Sequence, residues 1–511
     1  MVDLRFLCDQ ARLGERAGLS QRRGIYLALR EAIADGRLPA GSVLPATRSL
    51  ACELSVARNS LIYAYEQLAA EGYVQATRQG TVVRAWARAS LAQASAGGSK
   101  AGQETPSHGQ TSRRAGAWQR FRSPDDDLKP FMPGVPAMDA LPLQAWRKAM
   151  DRAARCLRGS DLGYRDARGE PELRQAIATY VQASRGVRCH ADQVVVTQGT
   201  QDSLNLCAQL LADVGDLAWI EHPGYGGARV ALSLAGLQLQ PITVDAEGMA
   251  VPPAWWNERP PRLIYLTPSH QYPLGSVLTW PRRMSLIDGA WRCGAWILED
   301  DYDSEFRHDG PPLAAMQGLV DDAPVVYLGT FSKSLFPALR LGYMVLPQGL
   351  MDRLAPSINA LVRGGRPQSQ LALAEFINEG AFTRHLRRMR RLYWERQQAL
   401  REAWRVHWPW PSALLGGECG MHLTVAGCPL SDQVLADEAL KQGLSPRPLS
   451  AYSTGGVEGF EGLVLGYANV PAEDMARYVA HLARVTSGLL RASSTEKTAH
   501  HWPADQRSRP S

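Results

Sequence analysis

Two patterns of apolar residues divide the chain. Over residues 128–490, apolar runs of strand length alternate with longer segments whose apolar residues recur at helical spacing. The strand-like runs include DQVVVTQG, DLAWIEHPG, RLIYLTP, AWILEDD and APVVYLG. Strands that alternate with helices are typical of an α/β domain whose sheet is mainly parallel. The pattern therefore predicts a large α/β domain over residues 128–490.

The beginning of the chain has a different pattern, in which short helices are followed by a hairpin. A helix is predicted to begin near Thr47, residues 55–57 form a turn, and a second helix covers residues 58–71. Two short strands, YVQA and TVV, then flank residues 78–80. This order of elements predicts a winged helix-turn-helix domain over residues 1–88.

Charge and topology together favour DNA as the partner of this first domain. Residues 19–88 contain nine arginines and five acidic residues. The second helix of such a domain can enter the major groove, and a basic wing tip can contact the phosphate backbone. The alternative is a small helical domain that only packs against the larger one. The residues predicted to contact duplex DNA are Arg48, Arg58, Asn59, Ser60, Tyr63, Arg78 and Gly80.

Two other segments are poor in large apolar residues. Residues 91–116 are rich in Ala, Gly, Ser and Gln, and the chain from about residue 492 onward is mostly polar. Such segments bury too little apolar surface to offset the entropy that they would lose on ordering. We therefore expect a flexible linker over residues 89–127 and a disordered tail over residues 491–511.

Composition adds few constraints. Of 511 residues, 45% are hydrophobic and 21% are charged, as in ordinary globular proteins, and a net charge of +6 is too small by itself to indicate nucleic acid. Eight cysteines without a CxxC pair are typical of a reduced, cytoplasmic protein without a zinc site. We find no signal-peptide pattern and no apolar run of transmembrane length, and we expect neither a metal site nor a membrane contact.

The segment GTFSKSLFPALRLG places Lys333 directly after a predicted strand and among hydroxyl groups. Taken alone, such a lysine could be an exposed loop residue. Another segment, VVVTQGTQDSL, indicates a binding site, because backbone N–H groups at a turn between a strand and a helix can bind an anion. The residues predicted to bind a phosphate are Gly199, Thr200 and Gln201, together with Thr330, Ser332 and Arg340.

Three further side chains fit a flat ring that contains nitrogen. Tyr225 lies in a loop after a strand and could stack on the ring, while Asp300 and Tyr302 share one face of their strand by its two-residue period. Asp300 could keep the ring nitrogen protonated, and Tyr302 could bond a ring oxygen. The alternative for this stretch is an acidic loop or a magnesium site. Lys333, the predicted catalytic residue, could bind an aldehyde covalently. A ligand with a phosphate, a flat ring, a protonated ring nitrogen and an aldehyde is pyridoxal 5′-phosphate (PLP).

Long motifs resemble known families. The segment GRLPAGSVLPATRSLACELSVARNSLIYAYEQLAAEGYV is similar to the DNA-binding motif of GntR-class bacterial regulators, although Ala46 stands at a usual Ser and Ala57 replaces the Ser of Val-Ser-Arg. The segments TPSHQYPLG, EDDYDSEFRHDG and GTFSKSLFPALRLGYMVLP resemble the MocR subfamily. In that subfamily, a linker joins a GntR-type winged helix to an aminotransferase-like domain.

This resemblance implies a fold-type I, PLP-dependent aminotransferase-like domain with a small C-terminal α+β subdomain. It also implies a head-to-tail homodimer in which the large domain senses PLP, an amine or an amino acid. The leading hypothesis is therefore a PLP-dependent, DNA-binding transcriptional regulator. Two other hypotheses stay open, namely an active aminotransferase with an accessory DNA-binding module, and a PLP-binding scaffold without catalysis that binds DNA constitutively.

Two departures from aminotransferase motifs concern the substrate. Tyr272 stands where aminotransferases carry Asn, and Val464, in GLVLGYAN, stands where they carry an arginine that binds the substrate carboxylate. Arg229 or Arg447 could replace that arginine from elsewhere. Residues 382–405 are strongly basic, and they are either a solvated helix of the small subdomain or an additional DNA contact.

Overall fold

The computed structural model describes residues 20–84, 112, 114, 128–308, 310–453 and 460–499. The chain divides into two compact units, Met1–Gln110 and Thr111–Ser511. The predicted linker lies outside the described residues except for Ser112 and Arg114. Arg114 donates a hydrogen bond to the backbone carbonyl of Leu234 at 2.9 Å, so this part of the linker contacts the second unit.

The first unit is a winged helix-turn-helix, which confirms the prediction. Its elements are α1 (Gln21–Ala34), β1 (Val43–Leu44), α2 (Thr47–Glu53), α3 (Arg58–Ala70), β2 (Val74–Thr77) and β3 (Gly80–Val83). The three strands form an antiparallel sheet in the order β1-β3-β2. Leu29, Leu50, Leu61 and Leu68 are fully buried, because each helix turns its apolar face toward one shared core.

The second unit is built on an eight-stranded sheet. Its strands are β4 (Val194–Thr197), β5 (Leu217–His222), β6 (Gln238–Asp245), β7 (Gly248–Met249), β8 (Leu263–Leu266), β9 (Trp296–Asp301), β10 (Val325–Thr330) and β11 (Gly342–Val345). They lie in the order β4-β11-β10-β9-β8-β5-β6-β7. β11 is antiparallel to β4 and β10, β7 is antiparallel to β6, and the remaining pairs are parallel. The mainly parallel sheet is therefore confirmed.

Helices cover the sheet and bury its central strands along their whole length, as a parallel sheet requires. They are α4 (Leu143–Cys156), α5 (Pro171–Arg185), α6 (Thr200–Leu211), α7 (Gly226–Leu234), α8 (Trp255–Glu258), α9 (Trp280–Cys293), α10 (Gln348–Val362) and α11 (Pro367–Asn378). The long helix α12 (Ala381–His407) follows and leads into the small C-terminal subdomain.

The small subdomain is α+β, as predicted. It contains β12 (Ala413–Leu415), β13 (His422–Ala426), α13 (Asp432–Lys441), β14 (Arg447–Pro448), β15 (Gly462–Gly466) and α14 (Met475–Ala499). Its antiparallel sheet has the order β12-β13-β15-β14. Two helices, α12 and α14, pack against each other beside this sheet.

The prediction of a disordered tail from residue 491 is wrong for its first part. Helix α14 continues through Ala499, so residues 491–499 are helical. This stretch contains no Pro or Gly, and each residue added to an existing helix gains a hydrogen bond without a new nucleation step. The remainder of the predicted tail, residues 500–511, lies outside the described residues.

A buried ion pair fixes strand β9 against helix α5. Arg185 Nε lies 2.6 Å from Asp301 Oδ2, and both side chains are 3% exposed. Arg185 also donates to Ser269 Oγ at 2.8 Å, and the Tyr327 hydroxyl donates to Asp301. Because neighbouring residues of a strand face opposite sides of the sheet, Asp301 points toward α5 while Asp300 points the other way.

Replacing Arg185 with leucine should leave the Asp301 carboxylate buried without its cation. We expect the free energy of unfolding to fall by about 3–5 kcal/mol, the usual cost of breaking one side of a buried ion pair. The measurement is urea denaturation followed by circular dichroism. Arg188→Leu is the control, because Arg188 pairs with Asp321 at the surface, and it should cost less than about 1 kcal/mol. Equal losses in the two variants would contradict this role.

Candidate functional site

Polar side chains from several strands meet in one cavity of about 400 Å³. The contributing strands β4, β9 and β10 present their carboxyl ends, where parallel α/β sheets bind ligands. All ten residues predicted to bind the cofactor line this cavity: Gly199, Thr200, Gln201, Tyr225, Asp300, Tyr302, Thr330, Ser332, Lys333 and Arg340. The grouping inferred from separate segments of the sequence is therefore present in the fold.

One end of the cavity is built to bind an anion. Helix α6 begins at Thr200, directly after Gly199, whose φ is +96°. The first N–H groups of a helix have no acceptor within the helix, and the helix dipole adds positive potential there. The Arg340 guanidinium lies over the same turn, 3.8 Å from the position that a Cβ on Gly199 would take. Beside it, the Ser332 N–H donates to Thr330 Oγ1 at 3.2 Å.

Asp300 offers a carboxylate oxygen without a partner. The side chain is buried, and its Oδ2 accepts a hydrogen bond from the Tyr265 hydroxyl at 2.7 Å. Its Oδ1 is buried and has no hydrogen-bond partner among the described residues. Burial raises the pKa of Asp300 to about 7, against the opposing effects of the Tyr265 bond and of the Lys333 charge. A buried acceptor of this kind fits the N–H of a protonated ring nitrogen.

Lys333 lines the cavity three residues after the end of β10. Its Nζ donates a hydrogen bond to the backbone carbonyl of Gly134 at 2.8 Å. A Cβ on Gly134 would lie 2.9 Å from this Nζ, so the glycine provides the room that the amine occupies. The Gly134 carbonyl thus helps to hold the amine, whose charge acts on Asp300.

Two tyrosines complete the predicted ring site. Tyr225 is 36% exposed and lies edge-on to Tyr272, with 6.0 Å between ring centroids. The Tyr302 hydroxyl lies 2.9 Å from His270 Nδ1, which also lies 3.0 Å from an Asp303 carboxylate oxygen. His270 Nδ1 thus contacts both the Tyr302 hydroxyl and the Asp303 carboxyl, whose pKa is raised by burial.

Other cavity residues were missed by the sequence analysis. They include Gly134, Tyr265, Asp303, His422 and Tyr452, while Arg447 was named only as a possible substitute. Tyr265 could have been predicted from the sequence, because the two-residue period of the strand LIYLTP determines which of its residues face the site. His422, Arg447 and Tyr452 come from the small subdomain, and nothing local in the sequence marks them.

His270, Asp303 and His422 stand close enough to resemble a metal site. Within the described ranges, one ligand atom from each lies within 4.8 Å of the others, although we expected no metal site from the sequence. His270 Nδ1 bonds Asp303 and His422 Nε2 lies 3.1 Å from the Pro273 carbonyl, whereas the buried His270 Nε2 has no hydrogen-bond partner among the described residues.

The predicted DNA-contacting residues lie mainly on an open surface of the first unit. Those that are exposed are Arg48, Arg58, Asn59, Arg78 and Gly80, and Ser60 is half-buried. Arg58 is the first residue of α3, and no acidic residue lies in that first turn. The unpaired N–H groups at this end of the helix therefore suit a phosphate.

Tyr63 is placed differently from the other predicted DNA contacts. It is half-buried against the core of the first unit, and the Arg22 guanidinium lies 5.0 Å from its ring centroid. Much of the Tyr63 ring therefore packs within the first unit.

The basic segment on α12 is engaged within the second unit. Arg388 and Arg390 donate to backbone carbonyls, and Arg396 donates to Asp139 Oδ2 at 2.7 Å. Leu386, Met389 and Tyr393 are buried on the same helix. These contacts favour a structural helix over an additional DNA contact. Among the described residues, no helix combines the length and apolar character needed to cross a membrane.

Comparison with known families agrees with this division of the chain. The family "Bacterial regulatory proteins, gntR family" matches residues 21–83, and "Aminotransferase class I and II" matches residues 134–482. The chain is 39% identical over 492 residues to the probable rhizopine catabolism regulatory protein MocR of Rhizobium meliloti, covering 94% of this chain and 97% of the relative. It is 30% identical to the pyridoxine biosynthesis regulator PdxR of Corynebacterium glutamicum, covering 88% and 92%.

Solved structures match the second unit. The α-aminoadipate aminotransferase LysN of Thermus thermophilus, complexed with N-(5′-phosphopyridoxyl)-L-leucine, is 28% identical with a TM-score of 0.66, covering 75% of this chain and 98% of LysN. The kynurenine aminotransferase of Pyrococcus horikoshii shares the fold at 22% identity and a TM-score of 0.66, covering 74% and 97%.

The family, this fold and the fit of the cavity identify PLP as the cofactor. The chain belongs to the MocR subfamily of GntR transcriptional regulators, in which a winged helix-turn-helix precedes a class I and II aminotransferase domain.

Proposed function

We propose that this protein is a cytoplasmic, homodimeric regulator that binds operator DNA through its first unit and senses PLP, an amine or an amino acid through its second. The observation that carries the proposal is the joint presence of an open basic helix end in a winged domain and a cavity containing every predicted PLP-binding group. A metabolic enzyme has no use for the winged domain, and a simple repressor has no use for the cavity.

Different cavity residues bind different parts of the cofactor. Lys333 provides the amine that attaches PLP, and Asp300 Oδ1 accepts the ring N–H. The α6 N-terminus, Arg340 and the Thr330 and Ser332 hydroxyls bind the phosphate. Tyr225 packs on the ring, and the Tyr302 hydroxyl donates to its oxygen. When bound, PLP supplies a protonated ring that withdraws electrons from the carbon next to a bound amine.

Transamination is the second candidate function, because the cavity retains Lys333 and Asp300. The 2-aminoadipate transaminase of Thermus thermophilus is 30% identical over 371 residues, covering 70% of this chain and 90% of that enzyme. Against this function stands Val464, which is fully buried and which the resemblance places where aminotransferases carry the arginine that binds the substrate carboxylate. Regulation therefore remains the better supported function.

Lys333→Ala should abolish covalent attachment of PLP. After incubation with PLP and reduction with borohydride, mass spectrometry of the wild-type protein should show one added phosphopyridoxyl group on the peptide that contains Lys333. The variant should show none, because no other amine lies beside Asp300 in the cavity. Lys148→Ala, at an exposed position on α4, is the control and should label like the wild type. Full labelling of Lys333→Ala would contradict the assignment.

Arg58→Ala should weaken binding of the protein to its operator by about 1–3 kcal/mol if Arg58 contacts a base, and by less if it contacts only phosphate. Mobility-shift titrations over a range of salt concentrations distinguish these cases, because loss of a phosphate contact lowers the salt dependence. Arg30→Ala is a matched control that removes the same charge near Glu71, beyond the other end of α3. Unchanged binding by a combined Arg48→Ala and Arg58→Ala variant would refute this DNA surface.

Turnover with ordinary α-amino acids and 2-oxo acids should stay well below about 1 s⁻¹, the lower end of typical enzyme rates. The reason is that Val464 offers no charge to orient an α-carboxylate, and orientation supplies much of the rate of such reactions. Steady-state assays of the PLP-loaded protein check this, with a class I aminotransferase run in parallel. Turnover of 1 s⁻¹ or more would make transamination the leading function.

A further inference from the structure

A second cavity, of about 450 Å³, lies between helices α5 and α12 and shares no lining residue with the cofactor cavity. Its two main walls are formed by residues three or four apart along each helix, because such residues lie on one helix face. Helix α5 contributes Ala176, Thr179, Tyr180 and Ala183, and α12 contributes Thr383, Leu386, Arg387 and Arg390.

Small side chains on α5 leave room for a ligand in this second cavity. Ala176 and Ala183 are seven residues, or about two helical turns, apart on the face that lines it. Leu386 and Ile377 add apolar surface to the lining. The volume falls within the range of about 300–1,000 Å³ that is typical of sites for small molecules.

Two arginines of α12 bring positive charge to the second cavity. Arg387 is exposed, and it makes no hydrogen bond or ion pair with any residue that the structure describes. Arg390 donates from Nε to the backbone carbonyl of Glu305, a bond that does not engage its two terminal nitrogens. Residues three apart on a helix are surface neighbours, so both guanidinium groups can reach one ligand group.

The lining does not neutralise this positive charge. Among the described residues that line the second cavity, Glu305 is the only acidic one, and its Oε1 accepts a hydrogen bond from the Tyr180 hydroxyl at 3.1 Å. Burial raises the pKa of Glu305, which favours the neutral form of its carboxyl group. The guanidinium of Arg185 is already paired with Asp301. The second cavity therefore combines apolar walls with a net positive charge.

The second cavity and the cofactor cavity are in contact with one continuous segment of the chain. Tyr302 and Asp303 line the cofactor cavity, and the next two residues, Ser304 and Glu305, line the second one. A ligand in the second cavity would thus lie against the same segment that carries two groups of the cofactor site.

We propose that the second cavity is a ligand site in which Arg387 and Arg390 bind the oxyanion of a small organic acid, either a carboxylate or a phosphate monoester. A guanidinium group presents paired N–H donors to two oxygens of either group, and the charge strengthens both hydrogen bonds. The apolar side chains of Leu386 and Ile377 cover the body of the ligand. This site is separate from the cofactor site, because none of its residues takes part in binding PLP.

The test is isothermal titration calorimetry of the full-length, PLP-loaded protein, in which the cofactor already occupies the phosphate-binding turn. The anionic probes are succinate and glycerol 3-phosphate, and their neutral counterparts are succinamide and glycerol. At least one anionic probe should bind at one site per chain and at least about 10-fold more tightly than its neutral counterpart, because charge-assisted hydrogen bonds are the stronger ones.

Two variants locate the bound probe. Arg387→Gln should weaken binding of the anionic probe about 10- to 100-fold, as expected for a lost charge-assisted bond. Ala183→Trp changes no charge but fills part of the cavity from an exposed position, and it should weaken the same probe at least about 10-fold. The absorbance of bound PLP, retained in each variant, shows that the second unit is folded.

Arg405→Gln is the matched control. It makes the same charge change on the same helix, but Arg405 pairs with Glu402 about 27 Å along α12 from Arg387. Its affinity for the probe should stay within about 2-fold of the wild-type value.

The two outcomes are clearly separated. Weaker binding in both Arg387→Gln and Ala183→Trp, with normal binding in Arg405→Gln, supports the site, and the better probe shows whether a carboxylate or a phosphate is recognised. A wild-type protein that binds neither anion more tightly than its neutral counterpart would overturn the proposal. Unchanged binding in either Arg387→Gln or Ala183→Trp would also overturn it, because the anion would then lie elsewhere.

Discussion

Strand β9 ends in three consecutive buried carboxylates, Glu299, Asp300 and Asp301, and the fold treats the last two differently. Burial of a charge is costly unless hydrogen bonds or an opposite charge offset it, and strand geometry sends the two carboxylates to opposite faces. Asp301 is satisfied within the protein by Arg185 and by the Tyr327 hydroxyl. Asp300 receives only the Tyr265 hydroxyl among the described residues, and its second oxygen faces no donor. The scaffold thus anchors one acid and leaves the adjacent one for a ligand.

This arrangement links cofactor binding to stability. Burial raises the pKa of Asp300 to about 7, so burial by itself disfavours the ionised form. A ring nitrogen that donates to Oδ1 stabilises that form, and any ligand that binds only the folded state stabilises the fold by mass action. Bound PLP would therefore stabilise the second unit.

Local signals in the sequence were sufficient to predict the parts of the site that lie on single strand ends. The Gly199 turn, the parity of Asp300 and Tyr302, and the hydroxyl-rich segment around Lys333 each depend on a few consecutive residues, and all line the cavity. Arg447 could be named from the sequence only as one of two candidates. Its position opposite Val464 depends on the pairing of β14 with β15, which residues far apart along the chain determine. Likewise, the position of Tyr63 near the N-terminal end of α3 marked it as a possible DNA contact, but the sequence did not show that Arg22 lies over its ring.

The charges in the cavity give a simple account of what it recognises. Burial raises the pKa of Tyr225 to about 12 and lifts the pKa values of Tyr272 and Tyr302 well above their usual range, so these hydroxyls stay neutral at physiological pH. The guanidinium groups that line the cavity are Arg340 at the phosphate turn and Arg447 on the small subdomain. One belongs to the cofactor, since its neighbours are the backbone donors of α6. Arg447 lines the cavity from the small subdomain, and its positive charge opposes the effect of burial on the pKa of Tyr272.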